Sequence, residues 1–520
     1  MRFILRYGRA DAPSLQRVMA EDLGLDYDVL LAGNKTAELV AVDQASAAVA
    51  AAYAAAGALP DGLLRQERLR PLCEQVLAFG HAASLASRDN NELAGLVAAL
   101  AGHYLPARLA GDIIRNPAVL PSGYNLYQFD PRQVPSATAM ERGAVIGRNT
   151  LEQYRAAHGC YPKSMAVVLW GLETSRTQGE TVGQILFYLG VRTVTKKQQF
   201  FPSFEIIPQA ELGRPRIDAV VTICGFFRDL FPLLIDALHD LFQQVAELDE
   251  PEAANYLKAH TAVIRSQLLA EGYAPDVAAE LAAARLFGPA QAEYGSKVSK
   301  LIELKTWSDE QELAETYVAN LHHVYSRRFR GEAIGGLLTS HLATVDAVSQ
   351  VRSNHEYELV DLDHYYEYVG GLSKSVETAR GCKAEGYVSD TASETVTTEP
   401  VGRSIARGVR SRLLNPKWID AMLEHDYHGV QKINDRFENV LGLAATTNAV
   451  ANWTFSGMHQ TYVADPVMRQ RLTENNRWAY YAMLERLLEC HKRGYWQPAE
   501  AELAELRQAF LQLEGDIEDE

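Results

Sequence analysis

Carboxylate side chains follow two apolar segments of the kind expected for buried β-strands. The first segment, residues 165–170, runs into a glycine-containing turn that carries Glu173 and Glu180. The second segment, residues 217–223, ends in another charged turn. In an open α/β sheet the carboxyl ends of parallel strands meet at one edge, where ligands bind. We therefore predict one crevice that holds the charged residues of both turns: Glu173, Glu180, Arg228 and Asp229.

These carboxylates are suited to proton transfer or cation binding, and each also has a structural alternative. Glu173 is placed to form an ion pair at the end of a strand. Glu180 lies three residues after Thr177, which is the spacing of a helix capping box. Asp229 is placed to cap the helix that follows it, with Arg228 as its ion-pair partner. The residue types alone leave both interpretations open.

The segments around these turns predict an α/β fold, with a parallel-type sheet unit and extensive helical regions in a multi-domain chain. Helical spacing over residues 182–189 predicts a helix that Gly190 ends, and residues 191–195 can return as a strand. A helix is predicted over residues 231–248 and an exposed loop over residues 383–402. The remaining predicted helices are residues 91–100, 137–158, 469–493 and 499–513.

Five regions follow from these patterns. They are a helical region at residues 1–118, the α/β unit at 119–250, a helical region at 251–350, a helical and loop-rich region at 351–513, and an acidic tail at 514–520. The tail is predicted to be disordered, since it is polar and terminal.

Composition argues against several classes of partner. The 520 residues carry a formal net charge of −16, which disfavours nucleic acid or an anionic membrane as the main partner. The five cysteines have no C-x-x-C spacing, which is typical of a reducing compartment and excludes a zinc ribbon. The first apolar run is too short for a signal peptide, and the alanine-rich run at 45–56 is too short and too weakly hydrophobic to span a bilayer. We therefore predict a cytoplasmic protein.

Seven segments, taken in order, resemble the large subunit of the cobalt and magnesium chelatases. Family members are typically more than twice as long, so the chain resembles their carboxy-terminal portion over roughly residues 90–500. The LYQFDP form of the first segment favours the cobalt branch. The segments are LPSGYNLYQFDP (120–131), VLWGLETSRTQGET (168–181), ELGRPRIDAVV (211–221), CGFFRDLFP (224–232), RLFGPAQAEYG (285–295), DLDHYYEYVGG (361–371) and RSRLLNPKW (410–418).

The resemblance implies an ATP-dependent metal chelatase that inserts Co²⁺ into a corrin-type tetrapyrrole in cobalamin biosynthesis. One alternative is insertion of Mg²⁺ into protoporphyrin, and another is a tetrapyrrole-binding or scaffold protein without catalysis. The sequence contains no G-x-x-x-x-G-K-[ST] motif, so ATP would be hydrolysed by partner subunits, which the resemblance implies are of the AAA+ type. A second polypeptide that supplies the upstream half is a further predicted partner.

Metal insertion needs ligands for the ion, a base for the pyrrole N–H protons and a pocket for the macrocycle. Within the resemblance, Glu173 is the predicted metal ligand or base. Glu180, Asp229 and His260 are the other predicted catalytic residues. His260 lies in the family-like segment NYLKAH at residues 255–260.

Arginine forks bind carboxylates bidentately, and the tetrapyrrole substrates of this family carry carboxylates. The predicted anchors are Arg214, Arg216, Arg228, Arg352, Arg410 and Arg412, each with a structural salt bridge as the alternative. Four aromatics could stack on a flat macrocycle or belong to the core: Tyr365, Tyr366, Trp170 and Trp418. The histidine pairs His322–His323 and His425–His428 have no flanking third ligand and make weak metal candidates.

Overall fold

The chain divides into two compact units in the computed structural model. The structure describes residues 13–32, 36–89, 91–111, 119–127, 130–194, 202–393 and 395–519. Unit 1 comprises Met1–Arg148 and Trp170–Leu212, and unit 2 comprises Asn149–Leu169 and Gly213–Glu520. The prediction of a multi-domain α/β chain is confirmed, while the five predicted region boundaries stay predictions.

Unit 1 begins with helices that pack around an apolar core. Leu15, Val42 and Leu77 are among the buried side chains of this core. Among the described residues, Ala37–Ala56 is the one segment long and apolar enough to cross a membrane by length and composition, a test that core helices of soluble proteins also pass. The predicted alanine-rich run is the second half of this longer helix. The helices are α1 (Leu15–Asp22), α2 (Tyr27–Ala32), α3 (Thr36–Ala56), α4 (Arg70–Ala86) and α5 (Asn91–Leu100).

The rest of unit 1 positions the first charged turn. Its elements are β1 (Arg108–Leu109), β2 (Asn125–Tyr127), the first half of α6 (Ala137–His158), α7 (Gly171–Thr177), α8 (Glu180–Leu189), β4 (Val191–Val194), β5 (Ser203–Ile206) and α9 (Gln209–Leu212). Helices α6 and α8 approach closely, because a Cβ at Gly143 would lie 2.5 Å from the amide nitrogen of Gln184. On the other side, a Cβ at Gly183 would lie 2.7 Å from the carbonyl oxygen of Ala139. The two glycines therefore allow the helix contact that brings Arg142 beside Glu180.

Unit 2 is built on an eight-stranded sheet within the described residues. Its strands are β3 (Ser164–Leu169), β6 (Asp218–Ile223), β7 (Leu286–Gly288), β8 (His323–Tyr325), β9 (Arg330–Ala333), β10 (Ala347–Arg352), β11 (Glu385–Asp390) and β12 (Thr397–Pro400). They lie in the order β12-β11-β10-β3-β6-β7-β8-β9, with the five strands from β11 to β7 parallel. Strands β3, β6 and β10 are buried along their whole length, as expected for central strands covered on both faces.

Helices and short turns connect these strands, and several helices begin at a residue whose side chain caps them. Asn255, Asp309 and Asp465 accept hydrogen bonds from backbone N–H groups of α12, α15 and α22, which are defined below. The helices are α10 (Gly225–Leu230), α11 (Pro232–Ala246), α12 (Tyr256–Ala270), α13 (Pro275–Ala283), α14 (Val298–Leu304), α15 (Glu310–Leu321), α16 (Leu337–Leu342), α17 (Gly371–Arg380), α18 (Val401–Ser411), α19 (Pro416–Leu423), α20 (Asp426–Thr447), α21 (Asn452–His459), α22 (Pro466–Lys492) and α23 (Glu500–Glu518).

Two segments of unit 2 are π-helical, Tyr365–Gly370 and Gln460–Ala464. The first continues directly into α17 and carries Tyr365 and Tyr366, two of the aromatic candidates predicted from the sequence. A π-helical turn holds one extra residue and often occurs at functional sites. This segment is therefore a candidate part of the active site.

Several sequence-based expectations differ from the structure. The predicted turn after residue 170 is helix α7, and β4 pairs antiparallel with β5 in unit 1 and does not join the central sheet. The prediction of an exposed loop over residues 383–402 is wrong for β11 and β12, which pair with β10 and with each other at the edge of the sheet. The acidic tail, predicted to be disordered, continues α23 to Glu518. The predicted helices over residues 91–100, 137–158 and 182–189 are confirmed.

Candidate active site

Glu173 is a buried carboxylate whose bonding partners are hydroxyl groups. It lies in the first turn of α7 and is 2% exposed. Its Oε1 accepts a hydrogen bond from Thr177 Oγ1 at 3.0 Å, and its Oε2 accepts one from Thr181 Oγ1 at 2.9 Å. Two neutral donors offset part of the desolvation of the carboxylate but supply no positive charge. This geometry differs from the ion pair that was the structural alternative for Glu173.

Glu180 lies close to Glu173 and carries the ion pair of this region. Its Oε1 accepts a bond from Arg142 Nε at 2.5 Å, and both side chains are buried. Thr177 Oγ1 accepts the backbone N–H of Glu180 at 3.1 Å, so the capping half of the predicted capping box is present. Glu180 is therefore ion-paired with Arg142, whereas the bonds to Glu173 come from hydroxyl groups.

This arrangement changes the acidity of Glu173. Burial raises the pKa of Glu173 to about 7, and the negative charge of Glu180 adds to this rise, while the bonds from Thr181 and Thr177 oppose the shift. A carboxyl with a pKa near 7 exchanges its proton at neutral pH, which is the property of an acid–base catalyst. The pair Glu173 and Glu180 is the candidate proton-transfer group of unit 1.

In unit 2, Arg228 and Asp229 lie just beyond the carboxyl end of β6. The Arg228 side chain is mostly buried, and its Nε bonds Asp229 Oδ1 at 2.7 Å. Its Nη1 donates to the carbonyl oxygens of Ala290 at 2.5 Å and Glu293 at 3.1 Å. Arg228 thus holds the backbone that follows β7.

Asp229 has a different role in the helix from the one predicted. It lies within α10, and α11 begins after Phe231 without a side-chain cap. Helix α10 is capped by Cys224, whose Sγ accepts the N–H of Phe227 at 3.4 Å. The Asp229 carboxylate, 44% exposed, accepts a bond from the Tyr294 hydroxyl at 2.5 Å. The bond from Arg228 lowers the pKa of Asp229.

Glu367 is a candidate that the sequence reasoning missed. It lies on the π-helical segment Tyr365–Gly370 and accepts backbone N–H bonds from Ser296 at 2.7 Å and Lys297 at 3.2 Å. Burial raises the pKa of Glu367. The available signal was the acidic and aromatic segment around it, in which only the tyrosines were singled out as candidates.

His260 lies at the opposite end of β6 from Asp229. Its Nδ1 is 2.9 Å from Oδ2 of Asp218, the first residue of that strand. Arg285 bonds the same carboxylate through Nε at 2.8 Å, and both Arg285 and Asp218 are fully buried. Arg285 and His260 hold the pKa of Asp218 well below its usual range despite the opposing effect of burial. The structure therefore does not bring His260 together with Asp229.

The predicted crevice stays a prediction. Glu173 and Glu180 belong to unit 1, whereas Arg228 and Asp229 belong to unit 2.

The predicted anchor arginines differ in how far the protein already engages them. Arg216 is buried in a two-point pair with Glu250, with both bonds at 2.8 Å, and Arg352 is buried against Asp390 at 2.6 Å. Arg412 bonds Asp361 at 3.2 Å. Arg410 is exposed, with its guanidinium 4.5 Å from the centre of the Trp453 ring. Arg214 is partly exposed and bonds the carbonyl oxygen of Pro215.

Most of the aromatic and histidine candidates are buried or packed against other side chains of the protein. Tyr365 and Tyr366 are buried in the core, and Trp418 is covered by Arg436 at 4.8 Å. Trp170 is partly buried. His322 and His323 stack on each other, whereas His425 and His428 are exposed. Across the described part of the chain, no group of three or more His, Cys, Asp or Glu residues is placed to hold a metal ion.

Comparisons with known proteins identify relatives along most of the chain. The sequence profile described as CobN/Magnesium Chelatase matches residues 1–503. The chain is 36% identical over 432 residues to a magnesium-chelatase subunit of Cereibacter sphaeroides, covering 83% of this chain and 35% of that protein. It is 34% identical over 457 residues to the aerobic cobaltochelatase subunit CobN of Pseudomonas aeruginosa, covering 87% of this chain and 36% of that protein.

A solved structure shows the same fold. The catalytic subunit of cobaltochelatase from Mycobacterium tuberculosis matches with a TM-score of 0.74 and 30% identity, over 99% of this chain and 44% of that one. The chain spans about a third of the length of the curated relatives it matches. The resemblance seen in the seven sequence segments is therefore confirmed: the chain belongs to the CobN/magnesium chelatase family.

Proposed function

We propose that this chain binds a tetrapyrrole and takes part in ATP-dependent insertion of a divalent metal ion, with Co²⁺ and a corrin precursor as the favoured pair. The relatives named for cobalt and magnesium chelatases support metal insertion. The LYQFDP segment supports the cobalt branch. In this proposal the metal ion is a substrate and is delivered during the reaction.

The single observation that carries the proposal is the pair of buried carboxylates in unit 1. Insertion requires a base for the pyrrole N–H protons, and Glu173, with its pKa raised to about 7, has a suitable acidity. Because both Glu173 oxygens accept threonine hydroxyls, we favour proton acceptance over direct metal binding. Glu180 supports this role through its charge, and Arg142 limits the total negative charge of the pair.

Substrate recognition is assigned to the arginines that remain accessible. Arg410 is exposed and is therefore the favoured anchor for tetrapyrrole carboxylates, while the partly exposed Arg214 and Arg412 stay further candidates. Arg216 and Arg352 are assigned structural roles, because both are buried and removing either would leave a partly buried partner carboxylate without its counter-charge. Asp229 and His260 remain secondary catalytic candidates.

The proposal includes partners. AAA+-type ATPase subunits would hydrolyse ATP, since the sequence has no P-loop motif. A polypeptide that supplies the upstream half of the family protein is a further proposed partner.

The test is metal insertion with Glu173→Gln, in a mixture that contains the ATPase subunits and the remaining family portion. The amide keeps the size of the side chain and removes the base, so we expect insertion to fall at least a hundredfold while macrocycle binding stays within about twofold. Insertion by the unsubstituted chain should rise with pH through about 7, as Glu173 ionises. Glu92→Gln, on the exposed surface of α5, is the matched control and should behave like the unsubstituted chain. Unchanged insertion by Glu173→Gln would remove Glu173 from the mechanism.

Magnesium insertion into protoporphyrin is the second candidate, and the relatives named as magnesium-chelatase subunits favour it. Parallel titrations with a metal-free corrinoid and with protoporphyrin separate the two. Tighter binding of protoporphyrin, together with Mg²⁺-dependent product, would favour the magnesium reaction.

A third candidate is tetrapyrrole binding by a scaffold protein without catalysis. Macrocycle binding with no insertion in the complete mixture would establish it.

A further inference from the structure

The segment Pro289–Lys297, called the 289–297 loop, follows β7 and is held from several sides of unit 2. Arg228 bonds the carbonyl oxygens of Ala290 and Glu293 from α10. Gln291 Nε2 donates to the carbonyl oxygen of Arg330 at 2.7 Å. At the far end of the loop, Glu367 accepts the backbone N–H groups of Ser296 and Lys297. The loop is therefore bonded to three different elements, two of which, α10 and the π-helical segment, bond its backbone.

The loop also adopts a backbone conformation that such contacts must stabilise. Ala292 and Lys297 have positive φ angles of 65° and 63°, although neither is glycine. Non-glycine residues in this region cost conformational energy, and they occur where the surroundings determine the backbone. Gly295, with φ of 77°, leaves room for Glu367, because a Cβ there would lie 2.8 Å from Glu367 Oε1. The loop is thus rigidly built on the carboxyl-end side of the sheet.

Despite this rigid support, the loop presents an aromatic ring to solvent. Tyr294 is 58% exposed. Its hydroxyl bonds Asp229, the Arg228 guanidinium lies 5.3 Å from the ring centre, and the ring packs against the backbone of Gly225. The neighbouring Phe226 on α10 is 41% exposed. A tyrosine that served only the core would bury its ring, whereas this one is fixed and left open.

We propose that the exposed face of Tyr294 is a stacking platform for the flat macrocycle, with the exposed ring of Phe226 on α10 as a second proposed contact. This inference rests on the proposed function, and it assigns the substrate a contact on unit 2. Aromatic rings stack favourably on extended π systems, and a ring that is already immobilised loses little entropy on binding. In this proposal the bonds of Arg228 and Glu367 to the loop, and of Asp229 to the Tyr294 hydroxyl, serve to hold the ring in position.

The first experiment compares binding by Tyr294→Leu and Tyr294→Phe with the unsubstituted chain, using a metal-free corrinoid and protoporphyrin as probes. We expect Tyr294→Leu to weaken the preferred probe about tenfold, through loss of stacking. Tyr294→Phe keeps the ring and should stay within about threefold. Tyr427→Leu, which removes another exposed tyrosine of unit 2, is the matched control and should bind normally.

A second measurement needs no substitution and covers the case in which Tyr294→Leu folds poorly. Hydroxyl-radical footprinting of the unsubstituted chain, read by mass spectrometry, should show that the bound macrocycle protects Tyr294 and Phe226 but not Tyr427. Normal binding by Tyr294→Leu, or equal labelling of Tyr294 with and without the probe, would overturn the platform and leave the proposed function standing. Binding of neither probe by the unsubstituted chain would instead overturn the proposed function, and the platform with it.

Discussion

The two ends of strand β6 carry charged clusters of opposite design. At the amino end, Asp218 is buried and forms ion pairs with Arg285 and His260. At the carboxyl end, Arg228 and Glu367 bond mainly to the backbone of the 289–297 loop. The Asp229 carboxylate and the Tyr294 ring there remain open to solvent.

This difference indicates that the cluster at the amino end of β6 serves mainly stability and the cluster at the carboxyl end mainly binding. A closed buried network costs much when one partner is removed, because the other charge is left uncompensated. A cluster that fixes a loop and leaves a ring exposed contributes less to folding and more to binding. The carboxyl end of the sheet is also where open α/β sheets bind ligands. Breaking each end in turn should therefore give different phenotypes.

The largest expected effect is on folding, from Asp218→Asn. The amide leaves Arg285 buried without its counter-charge, so we expect the free energy of unfolding to fall by about 3–5 kcal/mol. Asp229→Asn is the matched control at the other end of the strand and should cost less than about 1 kcal/mol, since that carboxylate is 44% exposed and Arg228 keeps its bonds to two backbone carbonyl oxygens. Urea unfolding of both variants measures the difference. Equal losses would show that the two ends do not differ in the way described.

The next effect is a pH dependence at the amino end. His341 is fully buried near Arg285, Asp218 and His260, and neither ring nitrogen bonds a described residue. Burial holds the pKa of His341 well below 6.5, so the unfolded chain binds a proton below pH 6.5 that the folded chain does not. Stability is therefore lost as the pH falls below about 6.5, by up to roughly 1.4 kcal/mol per pH unit.

Replacing this side chain by His341→Leu should remove that share of the pH dependence. Between pH 7.5 and pH 5.5 the unsubstituted chain should lose about 1 kcal/mol more stability than the variant. The comparison between the two proteins isolates His341 from other buried histidines such as His239 and His459, which shift in the same direction. Identical losses in the two proteins would contradict the assignment.

The smallest expected effect on folding is that of Glu367→Gln at the carboxyl end. The amide retains one acceptor but loses the charge, so we expect at most about 1 kcal/mol of destabilisation. Hydrogen exchange at the amides of Ser296 and Lys297 should nevertheless become severalfold faster, because these N–H groups bond the carboxylate. Glu303→Gln, at an exposed position of α14, should leave both amides unchanged. Unaltered exchange in Glu367→Gln would mean that other contacts fix the loop.

The sequence predicted helices and strands correctly where a segment showed one clear pattern, either a continuous apolar run or apolar residues at helical spacing. The apolar runs at β3 and β6, and the helices at residues 91–100, 137–158 and 182–189, were all readable from the sequence. Strands β11 and β12 were not, because most of their residues are polar and β11, on which β12 pairs, joins the sheet through the distant strand β10. The placement of β4 outside the central sheet was not predicted either, because β4 pairs antiparallel with the nearby strand β5.

The sequence indicated which residues belong to the candidate site better than it indicated which residues they bond. The sequence identified Glu173, Glu180 and Asp229, but the partner of Glu180 is Arg142 on a distant segment. Glu367 was missed because its role depends on a backbone turn about 70 residues away, which no local spacing encodes. His260 was predicted to be catalytic together with Asp229, although the two lie at opposite ends of β6. Sequence order does not show which end of a strand a neighbouring helix contacts.

The order of the central sheet has a further consequence for handling this protein in solution. Its edge strands, β9 and β12, are both short. Strand β9 carries Arg330 and Glu332, and β12 carries Glu399 and ends at Pro400, which has no N–H to donate. Charged residues and proline on short edge strands discourage pairing with the edge of another molecule. Such a sheet resists growing by addition of strands from a second chain, so concentrated samples should not aggregate through it.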